Sequence, residues 1–144
     1  MRVLFASDHA GFELKRLLVE FVRERGVDAV DLGPASSEAV DYPAFAHDLA
    51  RRIAAGEAAR GVLVCATGIG MAMVANRHRG VRAALCHDAF TAEMARRHND
   101  ANVLCLGGRT TGPGVAIQIL DLFLSTPFDG GRHERRVAAI EETS

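Results

Sequence analysis

Short runs of consecutive apolar residues alternate along the chain with longer stretches in which apolar residues recur at helical spacing. The short runs are nearly continuous, which is typical of strands covered on both faces in a parallel sheet. They predict strands at residues 3–6, 27–32, 61–65, 81–86 and 103–106. The longer stretches predict helices at residues 12–25, 42–55, 70–78, 89–98, 113–124 and 132–142. This alternation indicates an α/β fold, and without linkers or repeats we expect one domain over residues 1–144.

Polar residues follow four of the predicted strands at the point where each strand ends. These segments are residues 7–9, 65–67, 86–88 and 107–109. In open α/β folds, ligands bind beyond the carboxyl ends of the strands. We therefore expect the four segments to lie together at one edge of the sheet and to contain the functional residues.

Composition narrows the class of protein. Apolar residues make up 49% of the 144 residues and charged residues 24%, which is typical of a globular protein. The formal net charge of −1 gives no reason to expect nucleic acid or a membrane surface as a partner. The opening residues do not resemble a signal peptide, and no apolar run approaches the ~18 residues of a membrane span. Three cysteines without a C-x-x-C pair predict free thiols and a cytoplasmic location.

Cys65 is the strongest candidate for chemistry. It ends a predicted strand, and Thr67, Gly68 and Gly70 follow it at the start of a predicted helix. Backbone N–H groups in the first turn of a helix lack intrahelical partners, so they stabilise a thiolate, a phosphate or an enolate oxygen. The third glycine of a dinucleotide fingerprint is missing, because Met73 occupies its place, and no P-loop lysine follows. The segment therefore predicts an anion-stabilising turn beside a reactive thiol, whereas Cys86 and Cys105 are expected to be ordinary buried thiols.

Five other side chains are candidates, each with a structural alternative. Asp8 can cap a helix, and His9 can be a plain surface residue. His98 ends a predicted helix, where a histidine also complements the helix dipole. Arg132 and Arg136 are four residues apart on the last predicted helix, so they form either a fork for a phosphate or a solvated basic face.

Two other classes of site find no support. The six histidines are dispersed along the sequence, and no H-E-x-x-H pair is present, so we expect no metal site. The G-x-S-x-G motif of the serine hydrolases is also missing. No cofactor is expected.

Several segments, in register along the chain, resemble the type B ribose-5-phosphate isomerase family. They are residues 8–15 (DHAGFELK), 41–43 (DYP), 65–70 (CATGIG), 75–77 (ANR), 80–83 (GVRA), 97–104 (RHNDANVL) and 130–133 (GGRH). The resemblance extends over residues 3–140. It implies a Rossmann-like three-layer α/β/α sandwich with a five-stranded parallel sheet. It also implies a metal-free aldose–ketose isomerase, a homodimer or tetramer with shared active sites, that converts ribose 5-phosphate to ribulose 5-phosphate in the pentose phosphate pathway.

The resemblance also implies residue roles. Cys65 would move the proton between C2 and C1 through a cis-enediolate, and His98 would help to open the furanose ring. Thr67 and the amides of Gly68, Ile69 and Gly70 would stabilise the enediolate, and Arg132 and Arg136 would bind the phosphate. Asp8, His9, Asn99 and Arg109 would surround the sugar, with His98, Asn99 and Arg109 coming from the partner subunit. Met71 stands where another branch has a glutamate base, which favours the cysteine branch.

Other functions remain open at this point. Relatives of the same family isomerise a six-carbon substrate, allose 6-phosphate or galactose 6-phosphate, and free rare sugars are conceivable substrates of such a pocket. A module that binds a sugar phosphate without catalysis is the alternative from a different class. The combination of Cys65, Thr67 and His98 argues against a silent module.

Overall fold

The computed structural model describes residues 1–142 and contains one sheet of five parallel strands. The strands are β1 (Arg2–Ser7), β2 (Asp28–Asp31), β3 (Arg60–Cys65), β4 (Ala83–Leu85) and β5 (Val103–Gly107). The helices are α1 (Phe12–Arg23), α2 (Tyr42–Ala54), α3 (Ile69–Ala75), α4 (Ala89–Arg97), α5 (Pro113–Ser125) and α6 (Arg132–Ile140). The strand order is β2-β1-β3-β5-β4. The predicted parallel α/β fold is confirmed.

The sheet separates two apolar cores, one on each face. Side chains alternate between the faces along β3, so that Val62 and Val64 point into the core formed with α1, α4 and α5. Leu63 and Cys65 point into the other core, which α2 and α3 cover. Helices on both faces of a parallel sheet form the predicted three-layer sandwich.

The end of α3 and the start of β4 differ from the prediction. The helix ends at Ala75 rather than near residue 78, and β4 begins at Ala83 rather than at residue 81. The side chain of Asn76 accepts a hydrogen bond from the Ala83 N–H at 2.8 Å and donates one to the Ala83 carbonyl at 3.0 Å. These side-chain hydrogen bonds replace backbone pairing, and local sequence patterns do not reveal them.

The loops that follow β1, β3 and β5 lie in direct contact. The N–H of Gly108 donates to the carbonyl of Cys65 at 2.7 Å. A Cβ on Gly107 would lie 2.8 Å from the Thr67 Cα, and a Cβ on Gly108 would lie 2.6 Å from the Ala10 carbonyl oxygen. Backbone therefore packs on backbone where the three central strands end. The sheet order changes direction between β1 and β3, which is where ligands bind in folds of this kind.

None of the helices among residues 1–142 is both long enough and apolar enough to cross a membrane.

We expect Gly108→Ala to destabilise the protein by about 1–3 kcal/mol, because the added methyl group meets a backbone carbonyl that has no room to move. Thermal or urea unfolding measures the loss. Gly114→Ala is the matched control, since a Cβ at Gly114 has no neighbouring atom within 4 Å and alanine is the better helix former. Equal unfolding midpoints for the two variants would contradict the predicted packing.

Candidate active site

The thiol of Cys65 lies at the carboxyl end of β3, where it is only 5% exposed. The N–H of Gly68 is directed at its Sγ over a distance of 3.1 Å. Gly68 has a φ of +81°, and a Cβ there would lie 2.6 Å from the Leu85 side chain. The positive φ and the close packing both favour glycine at position 68. Glycine therefore allows the turn to direct this amide at the sulfur.

The start of α3 supplies further donors beside the thiol. The Ile69 N–H donates to the Thr67 Oγ1 at 3.2 Å, which orients the threonine side chain. The first intrahelical hydrogen bond runs from Ala72 to Gly68, so the Gly70 N–H has no acceptor within the helix. Unpaired amides at a helix start are suited to a negatively charged oxygen.

The other two thiols differ from Cys65. Burial raises the pKa of Cys86 to about 11, with a smaller opposing effect from its hydrogen bond to Thr91. Burial also raises the pKa of Cys105, which has no exposed surface. Both thiols are therefore protonated at neutral pH. The prediction that Cys86 and Cys105 are buried is confirmed.

Asp8 and His9 follow β1 and lie next to the Cys65 turn. The backbone N–H of Asp8 donates to the Val64 carbonyl at 3.1 Å, so the two strand ends are adjacent. The Asp8 carboxylate is buried and accepts the N–H of Gly11 at 3.0 Å, but Gly11 rather than Asp8 is the N-cap of α1. The exposed His9 accepts the Val40 N–H at its Nδ1, at 3.2 Å. Its neutral ring therefore carries the proton on Nε2, which is left as a donor.

Tyr42 is a neighbour of this site to which the sequence assigned no role. It begins α2, and a Cβ on Gly70 would lie 2.7 Å from its ring. It is also the one tyrosine of the chain. Its position at the start of a helix, at the edge of the sheet where ligands bind, is the signal that could have identified it.

Arg109 lies on the same side as Cys65. Its backbone N–H donates to the carbonyl of Ala66 at 3.0 Å within one chain. The family resemblance implies that Arg109 enters the site of a partner subunit, and this stays a prediction, whereas its backbone lies beside the Cys65 turn of its own chain. The loop after β5 places it there, because Cys65 pairs with Gly107 in the sheet register.

His98 and Asn99 lie at the opposite edge of the sheet. Helix α4 starts beyond the carboxyl end of β4 and runs back to the amino end of β5, so its last turn is far from Cys65. Just beyond it, the Asn102 carbonyl accepts the N–H of Gly61 at the beginning of β3. From Gly61 to Cys65 the strand rises by about 13 Å, so the turn after α4 lies at the far end of β3 from the thiol.

Helix α6 lies beside His98. The buried ring of His133 stacks on the His98 ring, with centroids 4.4 Å apart and planes 12° from parallel. Arg132 and Arg136 are exposed on the same helix. The structure therefore divides the predicted site into two groups. The Cys65 group contains Asp8, His9, Cys65, Thr67, Gly68, Ile69, Gly70 and Arg109, and the His98 group contains His98, Asn99, Arg132 and Arg136.

Four of the six histidines, although dispersed in the sequence, form two pairs in space. His47 and His78 approach to 2.7 Å between ring nitrogens, and the second pair is the His98–His133 stack. Within residues 1–142, the donor atoms of His98, Asp129 and His133 lie within 4.8 Å of one another. Metal binding requires lone pairs that converge on one point about 2 Å from each nitrogen, whereas nearly parallel stacked rings direct them side by side. The arrangement suits a histidine stack better than a chelate.

Comparison with known proteins identifies the family. The sequence profile of the family described as Ribose/Galactose Isomerase matches residues 3–140. The chain belongs to this family. Ribose-5-phosphate isomerase B of Escherichia coli is 43% identical over 139 residues, which cover 96% of this chain and 93% of that protein.

Solved structures of family members have the same fold. A ribose 5-phosphate isomerase from Thermotoga maritima is 49% identical with a TM-score of 0.97, covering 99% of this chain and 98% of that chain. Ribose-5-phosphate isomerase B of Mycoplasma genitalium, solved with bound ribulose-5-phosphate, is 41% identical with a TM-score of 0.93, covering 97% of this chain and 93% of that chain. The predicted fold, the type B resemblance and the prediction of an aldose–ketose isomerase are confirmed.

We expect the protein to lose stability as the pH falls below about 6.5. Burial, followed by the charges of His98 and Arg132, lowers the pKa of His133 below its ordinary value. The unfolded chain then binds more protons at this residue than the folded one does, so acid favours unfolding. Thermal unfolding at pH 7.5 and pH 5.5 measures the decrease. His133→Gln should show a smaller decrease, and an identical decrease would contradict this contribution.

Proposed function

We propose that the protein interconverts D-ribose 5-phosphate and D-ribulose 5-phosphate through a cis-enediolate. The observation that carries this proposal is the Gly68 amide directed at the Cys65 sulfur, at the start of a helix in which the Gly70 amide has no acceptor. The relatives described above are named for the same reaction. A base and a place for developing negative charge are what proton abstraction next to a carbonyl requires.

In the proposed reaction, Cys65 acts as the base. Its thiolate takes the hydrogen of C2 as a proton, which leaves the electron pair in the enediolate, and the same proton is returned to C1. The proton of the C2 hydroxyl moves to O1, so that the aldehyde becomes an alcohol and the alcohol becomes a ketone. Thr67 and the Gly70 amide, which has no acceptor within the helix, stabilise the enediolate oxygen, while the Gly68 amide stabilises the thiolate.

The sugar must be open before this proton is accessible to the base. Opening the furanose breaks the bond between C1 and the ring oxygen and moves the proton of the C1 hydroxyl to that oxygen. We assign this proton transfer to His98, because an imidazole both donates and accepts protons near neutral pH. Arg132 and Arg136, four residues apart on α6, bind the phosphate and so hold the reacting carbons in place.

A second copy of the chain is needed to assemble this site. The Cys65 group and the His98 group lie at opposite edges of the sheet, so one chain cannot bring both to one substrate. Next to Cys65, the exposed face of α3 carries Ile69 and Met73, which are 47% and 60% exposed. Large apolar side chains on such a face favour contact with another protein surface. We infer a homodimer in which each active site takes one group from each subunit.

Cys65→Ala should lower kcat for ribose 5-phosphate by about 10²–10⁴-fold, because it removes the proposed general base. A coupled assay with ribose 5-phosphate, allose 6-phosphate and galactose 6-phosphate measures the rate and the preferred substrate. Cys86→Ala is the control, since that thiol is buried in the other core and should leave the rate unchanged. Turnover at the wild-type rate by Cys65→Ala would contradict the role of Cys65 as the base. A higher rate with a six-carbon sugar phosphate would contradict ribose 5-phosphate as the substrate.

Mixing two inactive variants should restore activity if the sites are shared. After equilibration of Cys65→Ala with His98→Asn, half of the dimers are mixed, and each mixed dimer has one intact site. The expected activity is therefore about a quarter of the wild-type value at equal protein concentration. Mixing either variant with itself is the control. Lack of recovery, with subunit exchange shown by mass spectrometry, would contradict shared sites.

A further inference from the structure

The turn that carries His98 and Asn99 ends in a residue with an unfavourable backbone conformation. Among residues 1–142, Asp100 is the one residue other than glycine with a positive φ, at +47°. Side chains other than those of asparagine and aspartate rarely adopt this left-handed conformation, and glycine adopts it most readily. Aspartate is therefore one of the few side chains suited to this position, and its contacts hold the turn further.

Two arginines hold Asp100. Arg96 is 2% exposed, and its Nη1 donates to the Asp100 carboxylate at 2.9 Å and to the Ala101 carbonyl at 2.6 Å. Arg82 donates from Nε to the backbone carbonyl of Asp100 at 3.0 Å, and its Nη2 lies 3.5 Å from the other carboxylate oxygen. The backbone and the side chain of Asp100 are thus fixed from both sides, immediately after Asn99.

Asp100 is also a negative charge within a cluster of arginines. Burial lowers the pKa of Arg60, the charges of Arg96 and Arg82 lower it further, and Asp100 opposes them. Two arginines of the cluster, Arg82 and Arg96, contact Asp100, and the third, Arg60, lies within reach of its charge. Removing its charge leaves a buried arginine without its ion-pair partner, which destabilises a fold.

Arg82 extends this network to α6. Its Nη1 lies 3.6 Å from the carboxylate of Glu141, which follows the last residue of α6 and also accepts the Gly80 N–H at 3.0 Å. The two components of the His98 group, which are the turn after α4 and helix α6, are thus connected through Arg82 to the same aspartate.

We propose that Asp100 is a positioning residue that fixes the direction of His98 and Asn99 and, through Arg82, the end of the helix that carries Arg132 and Arg136. This role rests on the proposed function, in which His98 acts on the sugar. Asp100 itself touches no substrate, and it acts through the turn that precedes it.

The mixed dimer of Cys65→Ala and His98→Asn tests this role, because its one intact site takes His98 only from the Cys65→Ala chain. Asp100→Asn keeps the size and the left-handed tolerance of the residue and removes its charge. Placed in the Cys65→Ala chain, it should lower the recovered activity by roughly tenfold or more, because it displaces the turn that supplies His98. Placed in the His98→Asn chain, it should lower the activity by less than about twofold. A purely structural role would lower the activity equally in both placements, and that result would overturn the proposal.

Controls separate this result from other failures. Asp28→Asn, which breaks the exposed 2.9 Å ion pair with Arg2, should have no effect in either chain. If Asp100→Asn does not fold, Asp100→Gly replaces it, because glycine adopts the turn without strain and lacks the carboxylate. If the mixed dimer is inactive although the wild type is active, the hypothesis of shared sites is wrong. The positioning role is then tested by kcat of the folded Asp100 variant: a tenfold loss supports the role, and an unchanged kcat overturns it. If the wild type does not isomerise ribose 5-phosphate, the proposed function fails first, and the same comparison is made with the six-carbon substrate that it accepts.

Discussion

The close approach of three loops at the carboxyl ends of β1, β3 and β5 is the constraint on which the candidate site depends. Gly107 and Gly108 let backbone pack against backbone there, next to Thr67 and Ala10. A side chain at either position would separate the strand ends, and the turn after Cys65 would lose its support. Because these contacts are between main-chain atoms, they fix the amides beside the sulfur more rigidly than side-chain packing would.

This constraint explains why one of three similar thiols is suited to chemistry. All three cysteines are buried in or next to strands, but only Cys65 is followed by a left-handed glycine whose N–H reaches the sulfur. Burial is the main cause that raises the pKa of Cys86 and of Cys105 and so keeps both thiols protonated. Because Cys65 is buried as well, the feature that distinguishes it from the other two thiols is the backbone conformation of the three residues that follow it.

Local patterns in the sequence predict the elements and the Cys65 turn, because apolar runs and glycine spacing act over a few residues. They do not predict how α4 runs back across the sheet, so the distance between His98 and Cys65 emerges only from the fold. The His98–His133 stack joins residues far apart in sequence. Tyr42 and the position of Arg109 likewise depend on which loops become neighbours, and strand order determines that.

Helix α6 buries a single side chain, that of His133, against the rest of its own chain. The stack on His98 therefore connects the arginines proposed to bind the phosphate with the imidazole proposed to open the ring. In the proposed reaction, a substrate bound by the arginines would also fix the imidazole, and part of the phosphate's binding energy would orient a group that does not touch the phosphate. Binding of the phosphate at one end of the sugar would then also orient the imidazole that acts at the other end.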